Sequence, residues 1–131
     1  MNVNLGCGFE YLPGFLGIDL IKSSSTNLIA DISRLPIKKG CISKVYSRRC
    51  IQHIKDDKKV FNEIFRILKP NGKYTIILSS FIGWIYYKTG LSASAGHYAV
   101  FHLYTEHKIK RMLPQTRVER IRFDYKITGK K

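Results

Sequence analysis

Before residue 50 the apolar positions of this chain fall in short unbroken runs, and after it they fall at helical spacing and then in alternation. Continuous runs of that kind are typical of strands covered on both faces in a parallel sheet. They predict strands at residues 3–5, 15–20 and 27–30, the last ending at Asp31. A loop carrying Pro36 and Gly40 leads into a fourth strand at 44–47. Only residues 9–14 separate the first two strands, too few for the crossover helix that parallel neighbours normally need. An abbreviated crossover, an irregular loop or single turn, is the preferred reading, and two non-adjacent strands the other.

Val60, Phe61, Ile64, Phe65 and Leu68 recur at helical spacing, with Asp56 or Asp57 as N-cap and Lys69-Pro70 as the stop. Asn71-Gly72 predicts a turn into a fifth strand at 73–80, rich in β-branched residues. Residues 81–103 mix aromatics with Gly83, Gly90 and Gly96 and show no clean period, so a partly helical segment covering the end of that strand is expected. Thr105 reads as the N-cap of a helix over 106–113, ended by Pro114. Residues 116–128 alternate strictly, with Ile121, Phe123, Tyr125 and Ile127 on one side, which predicts one half-exposed strand, antiparallel and near a sheet edge.

At 131 residues this is a single domain, 1–131. Charge sharpens the picture, because 23 Lys and Arg face nine acids, for a net charge of +14. Of those bases only Lys22 lies in residues 1–33. A field of that sign favours phosphate-rich or otherwise anionic partners, nucleic acid among them. Cys7, Cys41 and Cys50 cannot all pair and show no metal-ligand spacing, so no metal is expected and a reduced, cytoplasmic setting is the simpler reading. The longest nearly apolar run, residues 74–87, is too short and too interrupted for a bilayer span, and no leader-like segment opens the chain. A soluble protein without membrane contact is therefore expected.

The candidate chemistry lies at Gly6-Cys7-Gly8, immediately after the first strand, with Asp19 at the end of the second. Glycines let a ligand approach the main chain, and a carboxylate ending the next strand can accept from both ribose hydroxyls. A nucleoside-bearing ligand fits, and a plain tight turn is the structural alternative. The dinucleotide fingerprint needs a third glycine opening a helix, which is missing, so a nicotinamide-dependent dehydrogenase is disfavoured.

Four segments in order carry a resemblance: Asn4-Leu5-Gly6-Cys7-Gly8, then Pro13-Gly14-Phe15-Leu16-Gly17-Ile18-Asp19, then Asp31-Ile32 with Leu35-Pro36, and finally Gln52-His53-Ile54 running to Leu68-Lys69-Pro70-Asn71-Gly72. Together they resemble the class I S-adenosylmethionine-dependent methyltransferases, particularly a small branch whose first motif reads Asn-Leu-Gly-Cys-Gly. The resemblance implies a truncated Rossmann-like α/β fold with a mostly parallel sheet, flanking helices and an antiparallel C-terminal strand. It implies S-adenosylmethionine as cofactor. Gly6, Cys7 and Gly8 would meet its methionine end, Asp19 with neighbouring Leu20 its ribose, and Asp31 with Ile32 its adenine. Ser47 and Arg49 would line the pocket near the methyl or the carboxylate, the Arg49 fork being suited to two oxygens. His53 is the candidate general base, packing at a helix start being its alternative; His97, His102 and His107 read as surface or turn residues.

Residues 48–53, 81–87 and the loop to Tyr104 would form the acceptor pocket. Measured against the resembled family, the chain lacks a helix before the first strand, has almost none after the glycine loop, and ends in one strand where a hairpin is usual. An open edge of that kind makes a homodimer the expected assembly. Methyl transfer to an anionic acceptor (nucleic acid, glycan or small metabolite) is the leading reading. A catalytically inactive module of the same fold, binding cofactor or nucleic acid, is the second, supported by nine Lys or Arg against three acids in residues 104–131.

Overall fold

The computed structural model describes residues 1–88 and 99–131; residues 89–98, His97 among them, lie outside the described residues. The strands are β1 (Asn2–Leu5), β2 (Leu16–Asp19), β3 (Leu28–Ile29), β4 (Ile42–Arg48), β5 (Leu68–Ser79), β6 (Arg117–Ile121) and β7 (Asp124–Lys130). They form one sheet in the order β3-β2-β1-β4-β5-β7-β6. Neighbours among the first five strands pair in parallel, and β7 runs antiparallel to both β5 and β6. The chain thus winds outward from β1 in one direction and from β4 in the other. Ligands of open α/β sheets bind beyond the carboxyl ends of the strands where that reversal occurs.

β1 and β2 are direct neighbours, with Val3 beside Leu16 and Leu5 beside Ile18, so the abbreviated crossover is what joins them. The link between them contains only turns and irregular chain. It is held because the Gly6 and Cys7 amides both donate to the Ile18 carbonyl, at 2.8 and 3.2 Å.

Helix α1 (Asp57–Ile67) starts where Asp56 accepts from the Lys59 amide, and it buries Val60, Phe61, Ile64 and Ile67. Full burial of each such side chain is worth roughly 1.5–3 kcal/mol. Helix α2 (Phe81–Lys88) begins at Ser80, whose hydroxyl accepts from the Gly83 amide at 3.1 Å. Helix α3 (Glu106–Met112) is capped by Thr105, which accepts from the Lys108 amide. The buried Tyr104 hydroxyl donates to Asp57 Oδ2 at 2.9 Å, tying the segment before α3 to the start of α1. No helix among the described residues is long and apolar enough to cross a membrane.

Two sequence expectations change. The C-terminal strand is a hairpin, β6 and β7, whose tip is Arg122 (φ 50°) and Phe123. A two-residue turn shifts the parity of the alternation, so Ile121 sits opposite Asp124 and is exposed while Ile127 is fully buried. The hairpin absent from the sequence reading is therefore present. β5, for its part, starts at Leu68 instead of 73. Leu68 pairs with Ile42 and Lys73 with Lys44, so the intervening Pro70-Asn71-Gly72 forms a bulge, with Asn71 at φ 62°, inside the strand.

Burial alternates across the sheet. Val45, Tyr74, Ile76 and Ile127 are buried on the side of α1, whose Phe65 ring meets the Tyr74 ring edge-on at 5.5 Å. Lys44, Tyr46, Thr75, Ile77, Lys126 and Thr128, of opposite parity, are half-buried or exposed. Toward β2 this second side is covered by chain from the segment around Ser25. A Cβ on Gly17 would stand 2.0 Å from the Ser25 carbonyl oxygen and 3.0 Å from Cys7 Sγ. Because the first of these is backbone, Gly17→Ala is expected to displace the whole 22–27 segment and lower stability by about 1–3 kcal/mol. A urea midpoint equal to that of the parent protein would show that the segment does not pack on β2 as described.

Candidate cofactor site at the switch point

Beyond β1 the chain turns through Gly6 (φ +65°) and Gly8 (φ +51°), a left-handed region open to glycine at little cost. The two glycines differ in what faces them. A Cβ on Gly6 would fall 2.1 Å from Cys50 Sγ, so this residue is glycine to let the post-β4 chain close against the loop. Nothing lies within 4 Å of a Cβ on Gly8, which leaves a free cradle beside its backbone. The Gly8 amide donates to Asp19 Oδ2 at 2.8 Å, and the Ile21 amide donates to Asp19 Oδ1 at 3.1 Å. Asp19 thus both caps its own turn and stands at the loop, so the ligand and turn readings of this residue share one geometry.

A second layer, not singled out from sequence, holds the loop from behind. The Ser23 hydroxyl donates to the Gly8 carbonyl, and the Ser25 hydroxyl donates to the Phe9 carbonyl at 3.0 Å. Asn27 Oδ1 accepts from the Gly17 amide at 2.8 Å. The signal was the polar run Ser23-Ser24-Ser25-Thr26-Asn27, whose residue types bond to nearby backbone. Cys7 points into this layer, 3% exposed, with Sγ 3.6 Å from the Ser25 carbonyl.

From the other side of the switch point, Arg49 follows β4 with φ 51°, its amide donating to the Ile77 carbonyl at 2.8 Å. Its guanidinium forks onto Asp124 Oδ2 from Nε (3.0 Å) and Nη2 (2.7 Å). Asp124 is 7% exposed, and its Oδ1 has no hydrogen-bond partner among the described residues. The Ser47 hydroxyl, fully enclosed between β1 and β5, is likewise unpartnered among them. Arg48 turns the other way and pairs with Glu10 at 2.9 Å, joining the glycine loop to β4.

The remaining predicted residues spread outward. Leu20 is well exposed next to Asp19, with Ile21 also exposed. Asp31 is exposed and its Oδ1 accepts from both the amide and the hydroxyl of Ser33, whereas Ile32 is buried in the core. His53 closes a 3-10 turn (Ile51–His53), and its Nδ1 lies 3.0 Å from the Ala99 carbonyl. Gln52 is the more consequential member of that turn. Buried, it donates to the Ser79 hydroxyl at 3.1 Å and accepts from the Ser79 amide at 3.0 Å, while its carbonyl accepts from the Phe101 amide. It clamps the chain after β4 to the end of β5 and to residues 101–102. Two depressions in the described surface lie elsewhere, one between β5 and β7 and one beside Asp57 and His102.

Glycine loop, strand-end carboxylate and sheet reversal together define a Rossmann-like nucleotide-cofactor fold. Residues 4–76, more than half of the chain, match the family model described as a methyltransferase domain. The chain belongs to that family, the class I S-adenosylmethionine-dependent methyltransferases. Its fold is similar to that of a methyltransferase from Methanosarcina mazei (TM-score 0.69, 14% identity, covering 99% of this chain and 91% of that one). It is also similar to phosphoethanolamine N-methyltransferase 2 of Haemonchus contortus, solved with S-adenosyl-L-methionine (TM-score 0.66, 21% identity, covering 92% of this chain and 34% of that one). A stretch of 34 residues is 53% identical to phosphoethanolamine N-methyltransferase 2 of Caenorhabditis elegans, spanning 26% of this chain and 8% of that protein.

The enclosure of this site has a chemical readout. Burial pushes the Cys50 thiol up to about 12, with the Asp19 charge adding to the shift, and burial likewise raises Cys7, whereas Cys41 is exposed. Since the thiolate is the reactive form, iodoacetamide at pH 8 is expected to label Cys41 alone in the folded protein and all three cysteines in urea. Rapid labelling of Cys50 in the folded state, read by mass spectrometry, would contradict the enclosure of Gly6 by its side chain.

Proposed function

We propose that this chain binds S-adenosylmethionine at the end of β1 and transfers its methyl group to an anionic acceptor. The observation that carries the proposal is the open cradle at Gly8, flanked by the Asp19 carboxylate. Gly8 and the loop backbone would hold the methionine end. Asp19, exchanging its internal amide contacts for sugar hydroxyls, would hold the ribose, and the exposed Leu20 and Ile21 would flank the nucleoside. Asp31 would accept from the adenine amine. Across the switch point, Asp124 Oδ1 is an acceptor without a hydrogen-bond partner among the described residues, beside the Arg49 fork, whereas the Ser47 hydroxyl, also unpartnered among them, faces the α1 side of the sheet. When bound, the cofactor supplies an electrophilic methyl on a sulfonium. The protein's part is alignment and, for an acceptor that must lose a proton, a base. His53 is the residue proposed for that role, beside the clamp that Gln52 makes.

The anionic character of the acceptor is supported by the net charge of +14 and by the similarity to enzymes named for phosphoethanolamine. Calorimetric titration with S-adenosylmethionine and S-adenosylhomocysteine tests the cofactor site. Asp19→Asn keeps an oxygen acceptor for one of the two loop amides, leaves the other facing an NH2 group, and removes the charge. Hydrogen bonds to charged groups are worth about 1.5–3 kcal/mol, so affinity is expected to fall roughly 10- to 100-fold with a modest fall in melting temperature. Failure of both ligands to bind the parent protein would end the assignment. Methyl transfer is read with labelled donor across phosphorylated small molecules, glycans and oligonucleotides. Tight cofactor binding with no transfer to any of them would favour the inactive-module reading.

A further inference from the structure

We infer that the side of the sheet opposite α1 is a binding surface for single-stranded nucleic acid, distinct from the cofactor site. The strand registers place Lys44 beside Lys73 and Lys73 beside Lys130, so three lysines occupy one row across β4, β5 and β7. All three are exposed, and none pairs with a carboxylate among the described residues. Neighbouring strands are about 4.8 Å apart, and like charges directly opposite destabilise a sheet. A row of this kind has a use only where an anion neutralises it.

The rest of the surface agrees. One step along the strands lies the row Tyr46, Thr75, Thr128 and Arg117, bounded by the buried Asn4, and one step further Arg48, Ile77, Lys126 and Glu119. Tyr46, half-exposed and met edge-on by Phe15 at 6.5 Å, puts an aromatic ring beside the cations. Phosphate-binding cations with an interleaved aromatic platform are what single strands require. A flat sheet face has no helix or ribbon to enter a duplex groove. Lipid surfaces select apolar anchors between the cations, but here those positions are Thr75 and Thr128. A second copy of the chain would bring lysine rows against each other. The lysine row crosses β4 near its start, β5 at mid-strand and β7 at its end, whereas the glycine loop, Asp19 and Arg49 lie beyond the carboxyl ends of β1, β2 and β4, so the two sites are separable.

Fluorescence anisotropy with a labelled oligodeoxythymidylate or oligouridylate of about 15 nucleotides tests the inference. The triple variant K44Q/K73Q/K130Q removes three phosphate partners, and each contributes about 0.7 to the salt slope on single strands. The slope of log K against log salt is therefore expected to become shallower by about 2, while S-adenosylmethionine titration is unchanged. Tyr46→Ala is expected to weaken binding about 5-fold or more, through lost stacking, with the salt slope retained; far-UV circular dichroism checks the fold of both variants. Absence of binding by the parent protein, or an unaltered slope in the triple variant, overturns the inference. So does binding confined to vesicles containing phosphatidylserine, or equal loss of oligonucleotide and heparin binding in the triple variant with Tyr46→Ala neutral.

Discussion

Two parallel strands placed side by side with only ten residues between them are the constraint on which the molecule depends. Parallel neighbours normally need a dozen or more residues and a helix to return the chain to the starting edge. Here β1 and β2 are joined by residues 6–15, and the return is made by turns pinned through Gly6 and Cys7 to the Ile18 carbonyl. The link is so short that its polar backbone is satisfied from outside, by Ser23, Ser25 and Asp19. The link itself contributes no helix to cover the sheet. The close contacts at Gly6 and Gly17, the exposed Phe9 and Tyr11, and the polar surface of the sheet all follow from that economy of chain.

Much of this was legible in the sequence because it is local. The helical spacing from Val60 to Phe65, the caps at Asp56 and Thr105 and the apolar runs of the inner strands each report on neighbours within a few residues, although Leu68, read into the helix, opens β5. The hairpin was not legible, because its tip, Arg122-Phe123, carries none of the Gly, Asn or Asp residues that mark a two-residue turn. What stabilises it lies elsewhere in the chain, where the Ser80 amide and hydroxyl both donate to the Phe123 carbonyl and the Tyr86 ring stacks on Phe123. The start of β5 was hidden for the opposite reason. Pro70-Asn71-Gly72 has every local mark of a turn but is a bulge inside β5, with pairing on either side of it at Leu68 and Lys73.

The candidate site divides in the same way. Gly8 and Asp19 are eleven positions apart, close enough for a motif to name both, and the structure brings them within hydrogen-bond distance. Gln52 and Arg49 owe their placement to distant partners, Ser79 and Asp124, and no spacing rule reaches that far. The acids are few, and several serve as structural counter-charges: Glu10 to Arg48, Glu63 to Arg66, Asp124 to Arg49. Most of the positive charge is left free to act on something outside the chain.

The pairing of Arg49 with Asp124 joins residues 75 positions apart in sequence. Contacts of such separation carry a large loop-closure entropy and form late. The glycine loop, by contrast, takes its shape from Ile18, Asp19, Ser23, Ser25 and Cys50, all within the first fifty residues. In a chain folding as it emerges from the ribosome, one wall of the site is therefore built while the other waits for residues 117–130. Until the hairpin docks, the Arg49 fork onto Asp124 is unmade and β5 keeps an unpaired edge, a transient species with a strand to offer to any neighbour. The hairpin at the far end of the sequence is thus both the final wall of the site and its safeguard during synthesis.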